Sequence, residues 1–312
     1  MDRGNPSSPA HPDDESGDTA DRPAMHSDDG TSAMVGVGVN RVELHYGVST
    51  DVGRVREVNE DSFLADPPVF VVADGMGGHD GGDIASAMVV EEFARLTDVG
   101  YDARRGQQVV ADTLRAVQRR LGEYGASHRG SDGRRWHGGT TAVAAILVDD
   151  DAEGTQWLLA NLGDSRVYRF SDGVLSQVST DHSVVQELVE SGAITAEEMV
   201  THPERHVVTR ALGGNQPAEA DYFALALAEA ERLLLCSDGV TGMISDAEIA
   251  AILGEHADPR DAADRIVAEA VAAGGRDNAT AIVVDVMGLA TESNYDSERQ
   301  RVSLEEKLGA LP

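Results

Sequence analysis

The sequence predicts an α+β fold: a sandwich of antiparallel strands with helices packed outside it, in one domain spanning residues 41–287. Three observations predict it. Short apolar, strand-like runs joined by tight turns recur through the middle of the chain, most clearly where Ser171-Asp172-Gly173 separates Arg166–Phe170 from Val174–Val178. Helix-spaced segments sit near the two ends of that run of strands, which argues against an alternating βαβ series. The chain has 312 residues, enough for one large core with extended ends.

The elements follow in order. Residues 1–40 are rich in Asp, Ser, Gly and Pro and nearly free of bulky apolar residues before Met34, so they are expected to be disordered. Arg41–Ser49 reads as a first strand and Val69–Ala73 as another. Asp83–Leu96 carries apolar residues at helical spacing (Ile84, Met88, Val89, Phe93, Leu96), and Val109–Leu121 reads as a second amphipathic helix. Gly122–Gly138 is expected to be a loop. Thr140–Val148 and Trp157–Leu162 form a β pair around the turn Asp149–Gly154. Asp181–Gly214 interrupts the strands with short helical pieces and several His and Arg residues. Strands resume at Tyr222–Leu227 and Arg232–Cys236, a helix follows at Asp261–Ala273, and Ala279–Val286 closes the domain. The tail 288–312 is polar, with a short helix expected around Ser303–Leu308.

The formal charge of −30 and pI of about 4.5 argue against nucleic acid or an anionic membrane as partner, since both bind clustered Lys and Arg. No apolar run approaches the ~20 residues that span a bilayer. Cys236 is the single cysteine, which excludes an intramolecular disulfide and suits a reducing compartment. A cytoplasmic monomer is expected.

Five acidic motifs run along the chain: Arg56-x-x-Asn59-Glu60-Asp61, Asp74-Gly75-Met76-Gly77-Gly78-His79, Gly163-Asp164-Ser165-Arg166, Ser237-Asp238-Gly239 and Arg276-Asp277-Asn278. Four of them lie at or beside the end of an apolar run. An Asp-Gly pair alone is most often a turn. Five such motifs in series read instead as a carboxylate-lined site. Oxygen donors suit Mg²⁺ or Mn²⁺, whereas zinc favours Cys and His. Two such ions ~3.5–4 Å apart polarise a shared water and support in-line displacement at phosphorus, and Arg56 offers a planar fork to a phosphate.

The ordered motifs resemble the protein phosphatase 2C family in its bacterial form, over about residues 45–286. The resemblance also rests on Gly138-Gly139-Thr140-Thr141-Ala142, Asp181-His182-Ser183 and His206–Gly213. It implies a four-layer α-β-β-α sandwich, two antiparallel sheets flanked by helices, with metals in a cleft at one end. It implies a metal-dependent phosphatase hydrolysing phosphoserine and phosphothreonine in proteins by a metal-activated water at a dinuclear site, reversing Ser/Thr kinase signalling. Under this reading Asp74 bridges two Mn²⁺ or Mg²⁺ ions and Gly75 offers its carbonyl. Asp238 and Asp277 complete the pair, with Glu60 and Asp61 near the waters. Arg56 holds the phosphate, and Asp164 with Asp238 holds the weaker third ion of bacterial relatives. Asp181–His206 matches a mobile flap that influences substrate choice.

Two positions depart from family patterns. Met76 stands where animal members carry a His, and Gly242 stands where many bacterial relatives carry an acid. Two other functions compete: a non-catalytic phosphoprotein-binding module, which predicts losses among Asp61, Asp74, Asp238 and Asp277, and a regulatory phosphatase for a single anti-sigma-type partner, which calls for a sensor domain. No loss has occurred, and the first 40 residues are too short and polar for a sensor. His182, His202 and His206 lack a zinc spacing and are expected to be solvated or substrate-facing. Cys236 is expected to be buried and inert, and Trp136 and Trp157 to be packing residues.

Overall fold

The computed structural model describes residues 32–38, 40–77, 81–130, 133, 136–214 and 219–291. Two antiparallel sheets stack face to face. The first is ordered β1 (Ser32–Val37), β2 (Asn40–Asp51), β12 (Ala279–Thr291), β11 (Arg232–Cys236), β8 (Arg166–Ser171), β9 (Val174–Gln177). The second is ordered β10 (Asp221–Ala226), β7 (Gly154–Leu162), β6 (Ala142–Asp150), β4 (Val69–Met76), β3 (Asp61–Asp66), with the short β5 (Gly139–Thr140) beside the end of β4. Helices α1 (Gly82–Val99) and α2 (Gly106–Ser127) cover the outer face of the second sheet. Helices α5 (Asp238–Thr241), α6 (Asp246–Glu255) and α7 (Pro259–Ala272) cover the first. The four-layer sandwich is therefore present.

Its central strands are buried on both faces, which explains their composition. Along β4, Val69, Val71 and Ala73 pack toward the α1–α2 layer, while Phe70 and Val72 enter the space between the sheets. Strand β11 divides the same way: Leu233 and Leu235 point to the inter-sheet core, Leu234 and Cys236 to α5–α7. A period of two with both faces apolar gives a continuous hydrophobic run. At the centre Phe70 meets Tyr46 and Trp157 edge to face, at centroid distances of 5.5 and 6.0 Å. The β8–β9 hairpin turns on Asp172 and Gly173, both with positive φ (52° and 75°), as a two-residue primed turn requires.

Several expectations need correction. Strand β1 lies inside the segment expected to be disordered: Val35 and Val37 are buried between the sheets, and β1 pairs with β2 from Ser32↔His45 to Val37↔Asn40. Six residues suffice because β2 supplies the partner edge. The remainder of 1–31, the tail from 292 with its expected helix, and His79 lie outside the described residues. The closing strand runs past 287 to Thr291 because β2 is long enough to pair with it throughout, across a bulge between Val286 and Gly288. Helix α2 continues through Gly122 and Gly125 to Ser127. Gly125 fits under Trp136, which packs against Tyr124, so tertiary contact overrides the glycines' poor helix propensity. Strand β3 and helix α6 were not foreseen. Between β9 and β10, the interruption holds two short helices, α3 (Val184–Glu190) and α4 (Ala196–Met199).

Removing residues 1–39 is expected to lower unfolding stability relative to a chain that begins at Ser32. Burial of Val35 and Val37 contributes ~1.5–3 kcal/mol each. Urea titration of the two truncations measures the difference, and equal midpoints would show that β1 adds nothing.

Candidate metal centre

The two sheets bring the acidic motifs to one end of the sandwich. Asp61 begins β3 and stands directly across from Asp74 in β4. Asp238 follows β11 by one residue, Asp277 precedes β12, and Asp164 sits in the turn between β7 and β8. Arg56, Glu60, Asp74, Gly75, Asp164, Asp238 and Asp277 line a single cleft of about 460 Å³. Asp61 does not line it; its Oδ1 is buried, although the residue as a whole is only partly so.

Hydroxyl groups fix these carboxylates. Asp61 Oδ2 accepts from Ser237 Oγ and Thr280 Oγ1, both at 2.7 Å, while its Oδ1 is buried without a hydrogen-bond partner. Thr280 Oγ1 in turn lies 2.8 Å from Thr50 Oγ1, which accepts from Asn59 Nδ2. The amide of Asp74 donates to Thr141 Oγ1 (3.0 Å), and the Thr141 amide donates to the Asp74 carbonyl (2.9 Å). Asn278 joins three loop groups: its Oδ1 accepts from the Glu60 amide at 2.9 Å, and its Nδ2 donates to the Val52 and Val58 carbonyls at 3.0 Å. Two glycines permit the close approach. A side chain at Gly75 would collide with the Gly82 and Glu60 carbonyls, and one at Gly239 with the Asn278 carbonyl.

The electrostatic cost is visible in the acids. Burial pushes the Asp61 carboxyl up to about 7, and the charges of Asp238 and Asp277 add to it. Burial and then Asp238 push Asp164 up to about 7. Asp74 is driven well above the usual carboxylate range by burial and by Asp61, Asp238 and Asp164. Burial also raises Glu60. Arg56 Nη2 donates to Asp277 Oδ2 at 2.6 Å and is the cation closest to this set. Among the described residues, no three His, Cys, Asp or Glu side chains stand close enough together to hold a metal ion as they are now oriented.

The flap-like segment supplies Arg205, His206 and Val208 to the cleft rim. His206 Nδ1 lies 3.8 Å from Asp238 Oδ2, and that contact raises the imidazole above its ordinary value. His182 departs from its expected solvated state. It is buried; its Nδ1 accepts from the Gly163 amide at 3.1 Å, so the proton lies on Nε2, 3.1 Å from Asp221 Oδ2. The His182 amide also donates to the Gly163 carbonyl at 2.9 Å. One residue thus holds both backbone groups of Gly163, immediately before Asp164. His202 serves a local turn, accepting from the Glu204 amide. Cys236 is buried, its thiol pushed up to about 12 by burial, and Trp136 and Trp157 are core residues, as expected. Thr141, Ser237, Asn278 and Thr280 have positioning roles that sequence reasoning missed, although each belongs to or adjoins a motif that carries one of the aspartates.

The sequence profile of the family described as Protein phosphatase 2C matches residues 54–272. The chain is 35% identical over 250 residues to the serine/threonine phosphatase stp of Listeria innocua, covering 78% of this chain and 96% of that one. It is 36% identical over 244 residues to the serine/threonine protein phosphatase PstP of Mycobacterium tuberculosis, covering 78% of this chain and 45% of that one. The crystal structure of the M. tuberculosis phosphatase PstP/Ppp superposes with a TM-score of 0.69 at 34% identity, over 78% of this chain and 99% of that one. A structure of the PstP catalytic domain with two manganese ions superposes with a TM-score of 0.64 at 33% identity, over 78% and 99%. Sandwich, acidic cleft and sequence agree: the chain belongs to the protein phosphatase 2C family.

Proposed function

We infer that the chain is a metal-dependent protein serine/threonine phosphatase. The observation that carries this reading is the convergence of Asp74, Asp164, Asp238 and Asp277 on one cleft wall, backed by Asp61 and flanked by Arg56. The donor set is entirely oxygen, the Asp61 Oδ1 atom is buried and unpartnered, and the neighbouring acids help to drive Asp74 well above the usual carboxylate range. These features fit hard divalent cations. Asp74, Asp238 and Asp277, with the Gly75 carbonyl, hold two of them, Mn²⁺ or Mg²⁺. Asp164 with Asp238 holds a third, and Glu60 and Asp61 support the shell. When bound, the cations make water nucleophilic at neutral pH and offset the charge on phosphorus.

The chain's own residues set the geometry. Arg56 has five N–H donors, one of which reaches Asp277, and its fork orients the substrate phosphate. Thr141 and the Asn278 bonds hold the acids on rigid strand ends. Substrates are phosphorylated proteins, supplied by Ser/Thr kinases. No described helix is long and apolar enough to cross a membrane. The lone buried thiol suits the reducing cytoplasm, where we place a monomeric enzyme.

Hydrolysis of phosphopeptides is expected to stop on chelation and return with Mn²⁺ or Mg²⁺; full turnover by metal-free protein would overturn the metal reading. Asp238→Ala is expected to weaken metal binding and nearly eliminate turnover. Arg56→Ala should keep metal affinity close to wild type yet lose ~2–3 kcal/mol of phosphate interaction in kcat/KM. Metal titration calorimetry with steady-state kinetics separates the two, and a wild-type Arg56→Ala on phosphopeptides would remove the clamp role.

The raised acids also set a pH dependence. Asp61 and Asp164 bind protons in the fold up to about pH 7 but titrate near 3.8 when unfolded. The metal-free fold therefore loses their contribution as pH rises through that window. Cations offset the exposed charge, so the Mn²⁺-induced rise in Tm is expected to be larger at pH 7.5 than at pH 5.5. Asp61→Asn should raise the Tm of chelated protein and shrink the Mn²⁺ effect. Differential scanning calorimetry decides, and an equal Mn²⁺ effect at both pH values would contradict the assignment.

A further inference from the structure

A second groove, of about 550 Å³, opens off the cleft beneath the flap-like segment. The two spaces share Asp164, Arg205, His206, Asp238, Gly242 and Met243, so a chain seated in the cleft has a continuous path into the groove. Val185, Met199 and Val200 line it from the flap side, and Met243 and Ile244 from the α5–α6 side. Val200 is 72% exposed, which leaves apolar surface in water beside the reaction centre. The α6 side also contributes the exposed carboxylates of Asp246 and Glu248.

Gly242 stands at the junction. Its φ of −76° suits any residue, but an added Cβ would sit 2.9 Å from the Asp238 carbonyl, closer than a Cβ stands to a backbone oxygen, so the turn itself favours glycine. The missing side chain also leaves room between cleft and groove.

We propose that this groove is a substrate subsite: it receives an apolar side chain neighbouring the phosphorylated residue, with a basic residue beyond it facing Asp246 and Glu248. The proposal rests on the phosphatase reading and deepens it. The occupant is a segment of the phosphoprotein itself, because the groove shares a wall of six residues with the cleft that receives the phosphorylated side chain. Charge supports the polarity of the site. The phosphate end meets Arg56, Arg205 stands in the shared wall, and the Arg166 charge in the groove is paired with Asp181, which leaves the exposed acids Asp246 and Glu248 at the far end. Apolar walls with a few placed charges are the composition expected of a recognition pocket.

The test uses the full chain with Mn²⁺ and phosphothreonine peptides in a Gly/Ser background. Leu is placed in turn at each of the three positions on either side of the phosphothreonine, and Lys is compared with Glu one residue further out. Leu at one position is expected to raise kcat/KM about tenfold or more over Gly, consistent with burial of one aliphatic side chain. In Val200→Ser and Met199→Ser, studied singly, this Leu/Gly ratio should fall toward one. Both peptides are read on the same enzyme, so a general loss of activity cancels. Glu248→Gln, which retains an acceptor for the helix cap, should reduce the Lys/Glu ratio. Turnover with a flat Leu/Gly ratio at every position, or a ratio that survives both substitutions, overturns the subsite alone. Absence of turnover on every peptide and on an aryl phosphate overturns the phosphatase reading and the subsite with it.

Discussion

Five carboxylates forced together at one end of a rigid sandwich are the constraint around which the rest of the molecule is arranged. Asp61 and Asp74 are opposed by strand register, and a like-charge pair in that position destabilises a sheet. Asp164 and Asp238 add to the same field. The fold accepts this because the acids are carried at the ends of paired strands, with Asp61 and Asp74 inside the β3–β4 ladder. Hydroxyls of Ser237 and Thr280 then hold the direction of the Asp61 carboxylate, and the Thr141 hydroxyl accepts from the Asp74 amide and holds its backbone. The cost is concentrated where a cation can offset it.

Rigidity comes from three cores rather than one. The sheet–sheet layer and the two helix–sheet layers each use alternate residues of the same strands, so no central strand can slide by one residue without exchanging two cores. Strand ends inherit that precision. The segment between β9 and β10 is different: it joins the sheets through the isolated bridge Thr140↔Leu212, the Arg166–Asp181 ion pair and the His182 clamp on Gly163. Precise acids thus face a wall built of loop and short helices, a division suited to fixed chemistry and variable partners.

Much of this was readable in the sequence, for reasons that can be named. Val69–Ala73 and Arg232–Cys236 are apolar on both faces and short, which marks buried strands, and Asp172-Gly173 has the residues a primed turn demands. The acids were legible because each follows or precedes such a strand. Helix α6 also carried a signal, the capping box of Ser245 and Glu248, yet it was passed over. Strand β1 was hidden because six residues with Gly and Ala among them have no pattern until β2 supplies a partner. The hydroxyl partners of Asp61 and the inward turn of His182 depend on contacts more than a dozen residues apart along the chain. No local spacing encodes them.

Asn278 carries a consequence for the life of the chain. Its side chain binds the backbone of residues 52, 58 and 60 across more than two hundred positions, and the strand it precedes, β12, inserts between β2 and β11. During synthesis the N-terminal loops emerge long before their partner exists. Glu60 is therefore without this support, and Asp277 is absent, until nearly the whole domain has left the ribosome. A nascent or C-terminally clipped chain is held silent by topology alone, so that catalytic competence arrives together with the final strand.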